Sequence, residues 1–180
     1  MASAAMVDCE RRNKVARGRS ASRLSKGAAV ADRTLVLLKP DALQRGLAGR
    51  IIARLEDRGL KIVGMKLMQM DMTIAQRHYA ELVDLPFFGG LTAFMTSRPI
   101  IAMAVEGKNA QAAVRITMGE TDPQKAAPGT IRGDMAQDIG RNLIHGSDSP
   151  ESAERELAIF FAPDELLDYV REAEPWITEP

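Results

Sequence analysis

Cys9 is the only cysteine in the 180 residues, so an internal disulfide framework is excluded and a reducing compartment fits. Histidine is nearly as scarce: His78 and His145 stand 67 positions apart, with none of the close spacing that marks a zinc site. Aromatic residues are 4% of the chain, too few for the paired stacking platforms with which sheet domains read single-stranded nucleic acid. No apolar run approaches the length of a membrane span. The patterns GxxxxGK(S/T), strand-following GxGxxG and GxSxG are all missing. That removes the sequence grounds for a P-loop, a dinucleotide-binding turn and a serine-hydrolase elbow. Net charge is missing as well, with Lys+Arg and Asp+Glu at 24 each.

The charge balance is uneven along the chain. Residues 1–33 carry eight Lys/Arg against three Asp/Glu, leaving 16 against 21 in the rest. A mildly acidic body argues against a broad nucleic-acid surface, so no specific nucleic-acid partner is expected. The Ala-, Ser- and Arg-rich residues 1–32 show no sustained period and are expected to be a disordered basic extension. Asp8 and Glu10 weaken a transit-peptide reading, and no secretory apolar core is present, so a cytoplasmic location is expected. The remaining length suits one domain, 33–180.

Within that domain Thr34–Leu38 reads as a buried strand, and Leu47, Ile51, Ile52 and Leu55 share one helical face closed by Gly59. A long strand is predicted over 60–70. Thr73 and Gln76 make a capping-box pattern for a helix through about Val83, which places His78 among polar neighbours on the surface. A short helix over 91–96, a buried strand over 99–105 and a helix capped by Asn109 and ended by Gly119 follow. From Glu120 to about Arg141 the pattern fades into Gly, Pro, Thr and Asp, and a structureless stretch of that length is usually functional. The order of strands and helices predicts a ferredoxin-like βαββαβ α+β sandwich, with a four-stranded antiparallel sheet and helices on one face.

The stretch 140–149 concentrates the chemistry. Leu143-Ile144 reads as a short strand, Gly146 breaks it, and Ser149-Pro150-Glu151 starts a helix with Ser149 as N-cap. His145 is thereby held between a strand end and oriented helix N–H groups, a place suited to work on an anion. By itself the stretch also suits a core-edge histidine satisfied by neighbouring hydroxyls. Lys39, Arg115, Thr121, Arg132 and Asn142 add cationic and neutral donors, the inventory that a polyphosphate site needs.

Six segments carry a resemblance. Lys39-Pro40-Asp41, Gln44-Arg45-Gly46-Leu47, Pro86-Phe87-Phe88, Gly119-Glu120-Thr121, Pro128 to Asp134 and Gly140 to Ser149 occur in order and at compatible spacing. With them the chain resembles the nucleoside diphosphate kinase family over 33–178. The resemblance implies transfer of the terminal phosphoryl group of a nucleoside triphosphate, typically ATP, to a nucleoside diphosphate in two steps through a phosphohistidine. It implies His145 as nucleophile, oriented by Ser147 and Glu156. Lys39, Tyr79, Arg115, Thr121, Arg132 and Asn142 would hold phosphates and ribose, and Phe87, with Leu91 and Ile139, the mouth where the base stacks. Magnesium would arrive on the nucleotide phosphates with no side-chain ligand of its own. A homo-oligomer, hexamer or tetramer built from dimers, is implied too. A non-catalytic binding module or a kinase-like domain kept for assembly would be the rivals, but His145 and Lys39 are both in place.

Overall fold

The computed structural model describes residues 32–179; the expected extension lies outside the described residues apart from Asp32, which opens the first strand. Strand β1 (Asp32–Leu38) buries Leu35, Val36, Leu37 and Leu38 completely, so its continuous apolar run is that of a strand covered on both faces. Pro40 then starts the short helix α1 (Pro40–Gln44), followed by the amphipathic α2 (Ala48–Asp57), which buries Ile51 and Leu55. Strand β2 (Lys61–Met68) leads to α3 (Met72–His78). The cap of α3 is Asp71, whose carboxylate accepts from Ile74 N at 2.7 Å, and not the predicted Thr73. A carboxylate two residues earlier competes better for the free N–H groups than a hydroxyl already inside the helix.

Helix α4 (Phe88–Met95), strand β3 (Ile100–Gly107) and helix α5 (Ala110–Met118) follow. The stretch read as structureless contains α6 (Ile131–Met135), capped by the Thr130 hydroxyl, which accepts from Gly133 N at 3.1 Å. A helix of five residues is too short to show a period. Strand β4 (Ile144–Gly146) and helix α7 (Pro150–Phe160) complete the described core, and the Ser149 hydroxyl caps α7 through Ser152 N at 3.1 Å.

The sheet order is β2-β3-β1-β4 and all pairings are antiparallel. Alternation along β1 divides the core. Val36 and Leu38 pack with Ile51, Leu55, Val114, Met118 and Ile131 on one face. Leu35 and Leu37 pack with Ala75, Tyr79, Met95, Leu157 and Phe160 on the other. The ferredoxin-like α+β sandwich is therefore present, but helices cover both faces where one was expected: α2, α5 and α6 on the first, α3, α4 and α7 on the second. The run of four buried residues in β1 required that, since every second side chain would otherwise meet water.

Candidate active site

Register decides where His145 points. On β4 it pairs with Leu37 of β1, and residues paired across an antiparallel ladder share a face. Leu37 belongs to the α3/α4/α7 layer, so His145 is directed at α7, while its neighbour Ile144 enters the opposite core. Six residues into the Ser149-capped helix, buried Glu156 presents its carboxylate: Oε2 lies 3.0 Å from His145 Nε2 and accepts from Ser147 Oγ at 2.7 Å. A carboxylate only accepts, so Nε2 carries the ring hydrogen and Nδ1 keeps the lone pair. Burial pushes the Glu156 carboxyl up, but the hydrogen bond and charge of His145 and the Ser147 hydroxyl outweigh it, and the group sits below its ordinary value.

The backbone that delivers His145 is held under strain. Leu143 is fully buried at φ 68, a conformation unfavourable to a side-chain-bearing residue. Its N–H donates to Asp41 Oδ2 at 3.0 Å and its carbonyl accepts from Lys39 N at 2.9 Å. Gly146 admits α5: a Cβ there would meet Val114 Cγ1 at 2.7 Å and Met118 Sδ at 3.0 Å. Gln111 on α5 donates to the carbonyls of Ser147 and Asp148 at 3.1 and 2.9 Å.

Cations bracket the histidine. Arg132, buried on α6, donates to Ile144 O at 2.6 Å, Asn142 O at 3.2 Å and Gly119 O at 3.0 Å. Arg115 on α5 reaches Gly146 O at 3.5 Å and pairs with Asp148 at 2.6 Å. Lys39, at the end of β1, donates to Asn142 Oδ1 at 2.7 Å, and Asn142 Nδ2 donates to Thr121 O at 2.9 Å. Burial, then the charge of Arg132, lowers Lys39 to about 8; burial, then the charge of Arg115, lowers Arg132 to about 10. The cations are thus close enough to repel one another.

One set of hydrogen bonds links Lys39, Thr121, Arg132 and Asn142, and a second links His145, Ser147 and Glu156. Tyr79 sits beside the second set, buried, its hydroxyl raised by burial and then by Glu156. The expected base mouth is not bonded into either set: Phe87 and Ile139 are more than half exposed, and Leu91 packs on the second core. Two residues escaped sequence reading. Asp41 shows no role in the sequence beyond its place in a motif, yet it anchors Leu143. His78, read as a surface residue, is buried with its ring centroid 4.7 Å from that of His145. Burial and then the charge of His145 lower it to about 3. Its polar sequence neighbours gave no sign of this, because α3 turns only one face inward.

The family model for nucleoside diphosphate kinase matches residues 32–166. The chain belongs to the nucleoside diphosphate kinase family. A nucleoside diphosphate kinase of Natronomonas pharaonis is 59% identical over 149 residues, covering 82% of this chain and 97% of the relative. One from Pelotomaculum thermopropionicum is 55% identical over 148 residues, covering 82% and 99%. Among solved structures, a halophilic nucleoside diphosphate kinase of Halobacterium salinarum in complex with CDP superposes with a TM-score of 0.81 at 54% identity, covering 83% of this chain and 99% of that one. A nucleoside diphosphate kinase family protein of Babesia bovis gives 0.80 at 39% identity, covering 82% and 99%. As a nucleoside diphosphate kinase the chain is a phosphotransferase. It moves the terminal phosphoryl group of a nucleoside triphosphate to a nucleoside diphosphate by a ping-pong mechanism with a divalent cation. Among the described residues no helix is long and apolar enough to cross a membrane.

Proposed function

We propose that His145 Nδ1 is the nucleophile of this phosphotransferase, and that the two guanidinium groups flanking it steer the phosphates. The observation that carries the reading is the bracketing of His145: Arg132 bonds the carbonyl before it and Arg115 the carbonyl after it, while Glu156 holds Nε2. The Nδ1 lone pair attacks the terminal phosphorus as the bond to the bridging oxygen breaks and its electron pair leaves with the nucleoside diphosphate. A terminal oxygen of the second diphosphate then attacks the same phosphorus, and the P–N pair returns to Nδ1. Nε2–H keeps its hydrogen throughout, and Glu156 stabilises the positive charge that the ring gains. Lys39, Arg115 and Arg132 meet the phosphate charge, whose arrival relieves their mutual repulsion. Thr121, Asn142 and the Tyr79 hydroxyl serve phosphates and ribose.

Phe87, Leu91 and Ile139 form the base platform in this reading; the Halobacterium salinarum relative, solved in complex with CDP, supports nucleotide binding by this fold. A platform that uses only a π-face tolerates any base. Magnesium is the cation, carried on the nucleotide's phosphates, where it neutralises charge; a cradle of cations and neutral donors fits the metal–polyphosphate complex and not the bare ion. The catalytic unit is 33–180, in the cytoplasm. It assembles as a homo-oligomer of dimers, hexamer or tetramer, which the exposed Met65 and Leu67 on edge strand β2 and the nearly bare Trp176 support. The test of the nucleophile is incubation with γ-labelled ATP. Wild type should take up an acid-labile, alkali-stable phosphate that any nucleoside diphosphate discharges, and His145→Ala should take up none while still binding ADP. Wild-type turnover in His145→Ala would end the proposal.

A further inference from the structure

Three potential metal ligands converge on the Nε2 side of His145, away from the proposed nucleophilic Nδ1. His78 on α3, His145 on β4 and Glu156 on α7 each offer one ligand atom, and these atoms lie within 4.8 Å of one another. His78 Nδ1 is 3.9 Å from Glu156 Oε1, and His145 Nε2 is 3.0 Å from Glu156 Oε2, so each carboxylate oxygen already faces one imidazole. The His78 ring stands edge-on to His145 at 87°, and its side chain is fully buried. Neither of its nitrogens has a hydrogen-bond partner. An imidazole used only to fill space would be better replaced by a phenyl ring, which leaves no polar atom unsatisfied. The unpartnered nitrogens therefore point to a ligand.

We propose that His78, His145 and Glu156 chelate a borderline divalent transition metal such as zinc, which switches phosphoryl transfer off. Two imidazoles and a carboxylate are a donor set that zinc accepts, at about 2.0–2.2 Å per bond. Tetrahedral ligands at that reach stand about 3.4 Å apart, so the widest separation must close by about 1.4 Å. His145, the least buried of the three at 18% exposure, provides the movement and the entry path. The inhibitory step is a change of tautomer. The metal takes the lone pair of Nε2, the ring's single hydrogen passes through solvent to Nδ1, and the nucleophilic pair is lost. This inference rests on Nδ1 of His145 being the nucleophile.

The test uses the full chain without nucleotide. Cobalt(II) alone, as the spectroscopic stand-in for zinc, should give the visible absorption of tetrahedral cobalt at one equivalent per chain, and His78→Phe and His78→Gln should lose it. In parallel, protein incubated with zinc is mixed with excess magnesium–ATP and the phosphate on His145 is followed in one turnover. Wild type should be inhibited and recover with a chelator selective for zinc over magnesium. Whichever His78 variant melts like wild type should form phosphohistidine and need about tenfold more zinc for the same inhibition. Zinc inhibition equal in wild type and variant, or no cobalt signal in wild type, overturns the site. Absence of phosphate on metal-free wild type instead overturns the nucleophile assignment, and the cobalt titration still decides whether the metal binds.

Discussion

Replacing Glu156 by Gln isolates the role of the carboxylate, because the side chain keeps its shape in a buried place. In the wild type one oxygen, Oε2, serves both His145 Nε2 and Ser147 Oγ, at 3.0 and 2.7 Å. The amide loses the charge that strengthens these bonds, and it has two ways to sit. With its oxygen toward His145 it preserves the Nε2–H tautomer but not the stabilisation of the charged ring. With its NH₂ toward His145 it turns Nε2 into an acceptor and moves the hydrogen to Nδ1, which removes the nucleophile. Loss of a charged hydrogen bond is worth about 1.5–3 kcal/mol, so phosphorylation should slow about 10- to 150-fold. The assay is single-turnover transfer from γ-labelled ATP, with ADP affinity as the control that should hardly move. The stability gap between the two proteins should narrow in acid. The depressed Glu156 stabilises the fold above its ordinary value of about 4.3, and that contribution fades as pH falls through the folded value. Phosphorylation within about threefold of wild type, or a rate loss matched by an equal loss of ADP affinity, would refute the orienting role.

Lys39, lowered to about 8, should lose its charge first as pH rises, so kcat/KM should fall above about pH 8 and Lys39→Arg should remove that limb. Because the unfolded chain keeps this proton up to about pH 10.4, the same group should make stability rise with pH between those values. Asp41→Ala leaves the buried Leu143 N–H without its acceptor and should cost about 1–3 kcal/mol in denaturant unfolding; an unchanged midpoint would show that the φ of 68 needs no such anchor. Gly146→Ala forces a methyl into Val114 and Met118 and should cost about 1–3 kcal/mol, with slower phosphorylation because His145 is its neighbour.

Local chemistry in the sequence was enough for the elements whose signals are contiguous. The apolar run 34–38, the Ser149-Pro150-Glu151 start and the Gly119 stop each act through backbone groups within a turn or two, so β1, α7 and the end of α5 were legible. The family resemblance gathered Lys39, Arg132, Asn142 and His145 from segments up to about a hundred positions apart, which spacing by itself could not have done. The rest depended on tertiary structure. Whether His78 is surface or core turns on which face of α3 meets α7, and polar neighbours one or two positions away lie on other faces of a helix. The pairing of Leu37 with His145 decides that the ring meets Glu156 and not the opposite core, and a slip of one residue would reverse it. The covering of both sheet faces and the strained Leu143 held by Asp41 likewise exist only once distant segments have met, because burial and hydrogen-bond partners are properties of the packed chain.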